Sequence, residues 1–394
     1  MRRLTFVLAP WICLTLNLTL ASLCLAADAK PRARDLGVPF DGVPGPFNAI
    51  TDVAGVEVGH TTLISGSGPL KVGIGPVRTG VTAILPRGKT HMNDPVFGGW
   101  FSLNGNGEMT GTTWLEESGF LDGPVMITNT HSVGVVRDAV IQWRIQHGPP
   151  DASGYWWSLP VVAETWDGEL NDTNGFHVKP KDAFHALDSA HSGHVDEGNV
   201  GGGTGMICSE FKGGIGTASR KVKVGGVTYT VGVLVQCNYG IRSQLRIAGA
   251  PVGKEIQDGS ERKQFQDKDL GSIIIVVATD VPLVGQQLKR LARRAALGLG
   301  RDGSFSGDGS GDIFVAFSTA NPGAGQQTGL HQISMLANDE LDPVFLATVQ
   351  ATEEAIVNAL VAADTMTGIN DKTVIALPHE RLREVLKKYN RLAQ

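Results

Sequence analysis

Positive charge is not in excess in this sequence. Its 394 residues carry 34 Lys and Arg against 39 Asp and Glu, a formal net charge of −5, with no basic patch or arm. That balance excludes a nucleic-acid binder. Aromatic residues are sparse, at 6%. Glycine is abundant, with 51 residues, but follows no period, which excludes a collagen-like chain. Past the N-terminal stretch, no apolar run is expected to be long enough to cross a bilayer. The glycine-rich run from Gly198 to Gly205 lacks a following Gly-Lys-Ser/Thr and a preceding strand at dinucleotide spacing. It therefore reads as a turn where backbones approach closely, not as a phosphate loop. The strained serine elbow of α/β hydrolases is missing too, because Asp308 stands where that motif needs Gly before Ser310. Internal repeats are not evident.

What is there begins with an N-terminal targeting segment. Met1-Arg2-Arg3 supplies positive charge, and an apolar stretch follows from Leu4 to about Leu25, broken by Pro10 and Asn17. Small Ala26-Ala27 then precede polar Asp28 and Lys30. This is the order of a secretory signal. Residues 1–26 are expected to be removed, leaving a periplasmic protein without membrane contact. A retained anchor is the alternative, which Pro10 and Asn17 disfavour. Leu23 before Cys24 is not small, which argues against a lipoprotein. Of the four cysteines, Cys13 and Cys24 leave with the signal. Cys208 and Cys237 sit in apolar sequence and either pair in an oxidising compartment or stay as buried thiols. Neither is given a catalytic role.

Residues 28–50 are rich in Pro and Gly and read as an extended arm. Short apolar runs then alternate with turns. Strands are expected over Val53–Val58, Gly80–Leu85, Pro124–Asn129, Gly205–Cys208, Tyr229–Cys237, Ile273–Ala278 and Ile313–Ser318. Helical spacing covers Val133–Gln146, Gln286–Leu299, Pro343–Ala363 and His379–Arg391. The strands are flanked by turns rather than by regular crossover helices. An α/β chain of layered sheets with helices outside is therefore expected over one doubly wound sheet. Gly253 to Leu270 is polar and reads as an exposed loop of the kind that tolerates nicking.

That loop ends at Gly271-Ser272. Serine is a weak nucleophile until a base takes its proton. A serine at a chain terminus can use its own α-amine, whose reference pKa of about 7.7–8.0 lies near working pH. Such a terminus must be made by cutting the chain, and a small residue before the cut lets the hydroxyl reach the carbonyl. Gly271 meets that need, and Ile273-Ile274-Ile275-Val276-Val277 would hold Ser272 at the head of a buried strand. An ordinary loop-to-strand junction stays open at this point. Ser310 and Asp312 lie two apart ahead of a second apolar run, so an extended backbone puts them on one side, where they could hold an ammonium or relay a proton. A Gly/Asp turn is the alternative. His191, His194 and Asp196 contain metal-ligand residue types, but their spacing is not helical and their polar setting favours a solvated loop. No metal is assigned.

Taken together, several stretches resemble the L-aminopeptidase/D-Ala-esterase/amidase family, which includes the β-peptidyl aminopeptidases. They are Asn48 to His60, Asn104 to Gly111, Ile127 to Gly134, Pro160 to Thr165, Gln236 to Gly240, Gly271-Ser272 with its apolar run through Thr279-Asp280, and Ser310 to Asn321. They cover almost all of the chain after the signal, in order. The resemblance implies a four-layer αββα sandwich, similar to ornithine acetyltransferases and to N-terminal-nucleophile hydrolases. It implies self-cleavage between Gly271 and Ser272 into residues 27–271 and 272–394, one catalytic domain of two subunits assembled as a homo-oligomer. Ser272 becomes the nucleophile, Asn238 the oxyanion donor, Glu164 the acid that receives the substrate's amino group, and Ser310 and Asp312 the pair beside the Ser272 amine. The expected substrates are short peptides or amino-acid amides with small or β-amino N-terminal residues, and no cofactor is needed. Some relatives carry Tyr where this chain has Trp166, so Trp166 receives no catalytic role and the D-alanine esterase/amidase alternative weakens. Transferases of the same sandwich class use Thr at the cut. The alternative of another kind is an uncleaved periplasmic binding protein, in which Gly271-Ser272 is only a turn.

Overall fold

The computed structural model describes Met1 and residues 30–148, 157–259, 271–326 and 328–393. The expected signal beyond Met1, and residues 260–270 of the polar loop, lie outside the described residues. In chain order the first elements are β1 (Glu57–Ser65), β2 (Val77–Leu85), β3 (Val96–Ser102), α1 (Thr112–Ser118), β4 (Phe120–Leu121) and β5 (Val125–Asn129). Then come α2 (Val133–His147), β6 (Val161–Thr165), α3 (Pro180–Asp188), β7 (Ile207–Cys208), β8 (Phe211–Lys212), β9 (Gly214–Val224), β10 (Val227–Asn238) and α4 (Val252–Glu255). The last are β11 (Ser272–Thr279), α5 (Gly285–Arg301), β12 (Ile313–Ser318), α6 (Asp342–Val361), β13 (Met366–Thr367), β14 (Thr373–Val374) and α7 (His379–Lys388).

Two sheets carry the fold, one ordered β1-β2-β5-β6 and the other β4-β3-β12-β11-β10-β9. Side chains alternate across a strand, and here both faces of each sheet are covered. Ile274, Val276 and Ala278 of β11 join Val125, Ile127, Val161 and Ala163 in a core between the sheets. Ile273, Ile275 and Val277 point the other way, into a core with α5, α6 and α7. The outer face of the four-stranded sheet, with Val81, Ala83, Met126 and Val162, packs on α2 and α3. Three cores between four layers make the αββα sandwich. Burial on both faces explains why β10, β11 and β12 read as continuous apolar runs.

The structure corrects several sequence expectations. The expected strand at Val53–Val58 begins only at Glu57. Val53 and Val56 are buried from a turn that Gly55, at φ +89°, makes possible. The parallel pairs β5–β6 and β11–β12 are joined through α2 and α5, so crossover helices are present, as parallel pairing requires. Strands β3, β6 and β9 and helix α3 were not foreseen. In β3 the Gly98-Gly99 pair dilutes the strand signal, but a Cβ on Gly99 would lie 2.4 Å from the Lys289 nitrogen of α5. In β9 the polar run hides Arg220, which is buried against Glu354 at 2.6 Å. The expected loop after Gly253 starts inside α4, with Gly253 buried. The supposed arm is part of the body, since Ala33, Leu36 and Val38 are core residues and Arg34 pairs with Glu354 at 2.7 Å. Helix α6 is long and apolar enough to span a bilayer, against expectation, yet 83% of its most apolar window is buried inside the protein.

Candidate active site

The site follows from strand order. β11 lies between antiparallel β10 and parallel β12. Its first residue, Ser272, pairs with the last residue of β10, Asn238. On its other side, Ile274 pairs with Ile313 at the start of β12, which brings the preceding Ser310-Gly311-Asp312 alongside Ser272. The Gly311 N–H donates to Ser272 Oγ at 3.0 Å. Ser310 Oγ donates to Asp312 Oδ1 at 2.7 Å, and the same oxygen accepts the Ile273 N–H at 3.2 Å. Ser272, Asn238, Ser310 and Asp312 are all buried.

Asn238 is held in one orientation. Its Oδ1 accepts the Ile207 N–H at 2.7 Å, and its Nδ2 donates to the Trp166 carbonyl at 2.9 Å. A primary amide has two N–H donors, so this arrangement uses one and aims the group. Trp166 is 45% exposed, and its backbone carbonyl supplies the contact to Asn238. A disulfide joins Cys208, next to Ile207, with Cys237, next to Asn238. The choice between paired and free thiols is thereby settled as paired.

Glu164 comes from β6 of the other sheet. Its carboxylate accepts the Glu108 N–H at 2.9 Å and the Thr130 hydroxyl. A Cβ placed on Gly107 would be 3.3 Å from Glu164 Oε1 and 3.1 Å from Gly311 Cα. One glycine thus separates the carboxylate from the loop that touches Ser272. Burial raises the Glu164 pKa above its ordinary value of 4.5, against the opposing pull of the Thr130 and Glu108 hydrogen bonds. Thr130, Asn104 and Gly311 were not singled out from sequence. Asn104 accepts the Asp312 N–H at 2.6 Å and donates to Gly307 at 3.1 Å, so the Asn104-Gly105-Asn106-Gly107 run was the available signal.

Gly271 leaves no space for a side chain, since a Cβ there would sit 1.9 Å from the Asn238 carbonyl oxygen. His191, His194 and Asp196 are exposed. Among the described residues, no three His, Cys, Asp or Glu are placed to hold a metal.

A buried hydroxyl, an aimed amide, a serine–carboxylate pair and a separate buried carboxylate form a constellation of the kind that acyl transfer uses. Residues 48–374 match the profile of peptidase family S58. The chain belongs to peptidase family S58. It is 60% identical over 382 residues to the β-peptidyl aminopeptidase BapA of Sphingosinicella microcystinivorans, covering 93% of this chain and 95% of that one. Its fold is similar to the L-aminopeptidase D-Ala-esterase/amidase of Ochrobactrum anthropi, described as a variant of the Ntn hydrolase fold. That match has a TM-score of 0.86 and 51% identity, over 92% of this chain and 100% of that one. A Burkholderia β-aminopeptidase matches with a TM-score of 0.82 and 46% identity, over 91% and 99% of the two chains. This S58 member is an aminopeptidase, and its four-layer sandwich is of the Ntn-hydrolase kind.

The closeness of the loops gives a test. A Cβ on Gly311 would lie 2.4 Å from the Asn106 carbonyl oxygen. Gly311→Ala is expected to separate the two loops at a cost of about 1–3 kcal/mol. Aminopeptidase turnover should fall at least about tenfold, as misplacement near reacting groups does. Thermal melting and steady-state rates would check this, and unchanged values for both would contradict the geometry.

Proposed function

We propose that this aminopeptidase cuts its own chain between Gly271 and Ser272 and then works from the new N-terminal serine. In the first event Ser272 Oγ adds to the Gly271 carbonyl and the Gly271–Ser272 C–N bond breaks. The nitrogen leaves as the free amine of Ser272, and the Gly271 acyl group is now esterified to Oγ. Water hydrolyses that ester, giving a Gly271 carboxylate and a free hydroxyl. In each turnover the Ser272 amine takes the Oγ proton while Oγ adds to the substrate carbonyl. The proton passes to the departing amine as the C–N bond breaks, and water then clears the acyl-enzyme. The oxyanion formed in each addition is stabilised by the second N–H of Asn238, a contribution of about 2.7–4 kcal/mol where such donors have been removed. The observation that carries this reading is Ser272 at the buried head of β11, fixed between Asn238 and Gly311.

Glu164 receives the substrate's ammonium at a set distance from the nucleophile, which restricts cutting to the first residue of a peptide or amide. Small and β-amino N-terminal residues are the proposed substrates. The 60% identity to a protein named a β-peptidyl aminopeptidase supports that choice. The second reading, D-alanine ester and amide hydrolysis, draws on the Ochrobactrum relative; Trp166, standing where some relatives carry Tyr, favours the first. We propose the periplasm as the working place. The positively charged and then apolar N-terminus and the Cys208–Cys237 disulfide support it, since such bonds persist in oxidising compartments. The proposal extends to an oligomer of the cleaved pair, which would cover exposed Leu330, Ile333 and Met335.

Ser272→Ala is expected to run as one uncut band on a denaturing gel and to be inactive, whereas the wild type gives two. A processed or active Ser272→Ala protein would refute the proposal. Glu164 must be ionised to bind an ammonium, and its pKa is raised. kcat/KM should therefore fall as pH drops through a value above 4.5. Glu164→Gln should remove that contribution, leaving the fall set by protonation of the Ser272 amine, and should raise KM with a smaller effect on kcat. An unchanged KM would remove Glu164 from the amine site.

A further inference from the structure

Behind Asn238 lies a lysine with no solvent exposure. Lys212, in β8, is 0% exposed. Its Nζ donates to the carbonyl oxygens of Met206 and Gly213, each at 2.7 Å, and of Gly203 at 3.3 Å. Three donors are what a protonated amine offers, and a buried charge is tolerated only when satisfied in this way. The Met206 carbonyl and the Ile207 N–H belong to the same peptide group. That N–H is the one donated to Asn238 Oδ1 at 2.7 Å. A continuous path thus runs from the ammonium, through one peptide, to the side-chain amide of Asn238, the residue that pairs with Ser272 across β10 and β11. In such a chain each hydrogen bond polarises the next, and the low dielectric of the interior preserves the effect. Ile207 pairs with Lys212 across β7 and β8, and the Cys208–Cys237 disulfide ties this pair to β10, so both ends are fixed.

We propose that Lys212 is a positioning residue for the reaction, acting through the 206–207 peptide to aim the Asn238 amide and strengthen it as an oxyanion donor. This rests on the reading of Asn238 given above. It also implies that charge, not only a filled space, is needed at position 212.

The test uses the full-length chain with Lys212→Gln, which keeps amide donors but loses the charge, and Lys212→Met, which loses both. Each is measured for kcat and KM on a β-alanyl amide and for inhibition by β-aminopropionaldehyde, whose adduct with a serine carries an oxyanion. Lys212→Gln is expected to lower kcat and aldehyde affinity together by about tenfold, a part of the 10²–10³ that a whole donor supplies. KM should stay within about twofold, because ground-state binding does not use the oxyanion donor. Lys212→Met should lose at least as much. Wild-type kcat and aldehyde affinity in Lys212→Gln would overturn the proposal, as would a fall in kcat with aldehyde affinity unchanged. Asn238→Ala with wild-type aldehyde affinity would instead overturn the oxyanion reading beneath it. A measurement on the wild type covers variants that fail to fold. In protein labelled with ¹⁵N-isoleucine, the Ile207 amide proton is expected to be shifted downfield and protected from exchange. A rapidly exchanging Ile207 proton at an ordinary shift would overturn the path.

Discussion

The backbone pairing of β11 between β10 and β12 is the constraint on which the rest depends. Hydrogen bonds on both edges leave the strand one register, and side chains that alternate between two buried cores penalise a slip by one residue. That register decides where Ser272 stands. Asn238 is opposite it because β10 ends there, and Gly311 is beside it because β12 starts just beyond. The surroundings of Ser272, the proposed nucleophile, are thus a property of sheet geometry, and sites built on such elements hold their groups more closely than loops do.

The other sheet supplies the remaining group. Glu164 sits at the end of β6, and its carboxylate is kept in place by Thr130 and by the backbone of Glu108. The two sheets pack through Ile274, Val276, Ala163 and Val161. The Glu164 carboxylate, the proposed amine anchor, and the Ser272 hydroxyl are therefore separated by a distance that the core itself sets. An enzyme that measures one residue from a chain end needs a fixed ruler of this kind. The disulfide and the buried Lys212 lie behind Asn238 on the same principle, stiffening the amide from the rear.

Much of this could be read from the residues. Ile313–Ser318 and the start of β11 were legible because continuous β-branched and aromatic runs mark strands buried on both faces. Ser310 and Asp312 were legible because a spacing of two puts both on one side. The glycine run at 198–205 was read as a close approach, and a Cβ on Gly202 would meet Gln236 Oε1 at 2.2 Å. β9 was not legible, because Arg220, Lys221 and Lys223 look like a solvated segment until Glu354, more than a hundred residues later, is known to cover Arg220. Thr130 was missed for the same reason, since its partner Glu164 is distant in sequence. Lys212 looks like any surface lysine, and only tertiary structure shows three carbonyls around it. The pairing of Cys208 with Cys237 also depended on register, which sequence left open.

The central proposal is a chain break that frees the Ser272 amine as the base for its own hydroxyl. The direct measurement is to label active enzyme with a serine-reactive sulfonyl fluoride and weigh the labelled species by intact mass spectrometry under denaturing conditions. The account predicts that the label is carried by the fragment of residues 272–394, in proportion to the activity lost. Label on an unbroken chain that had been fully active before treatment would contradict it.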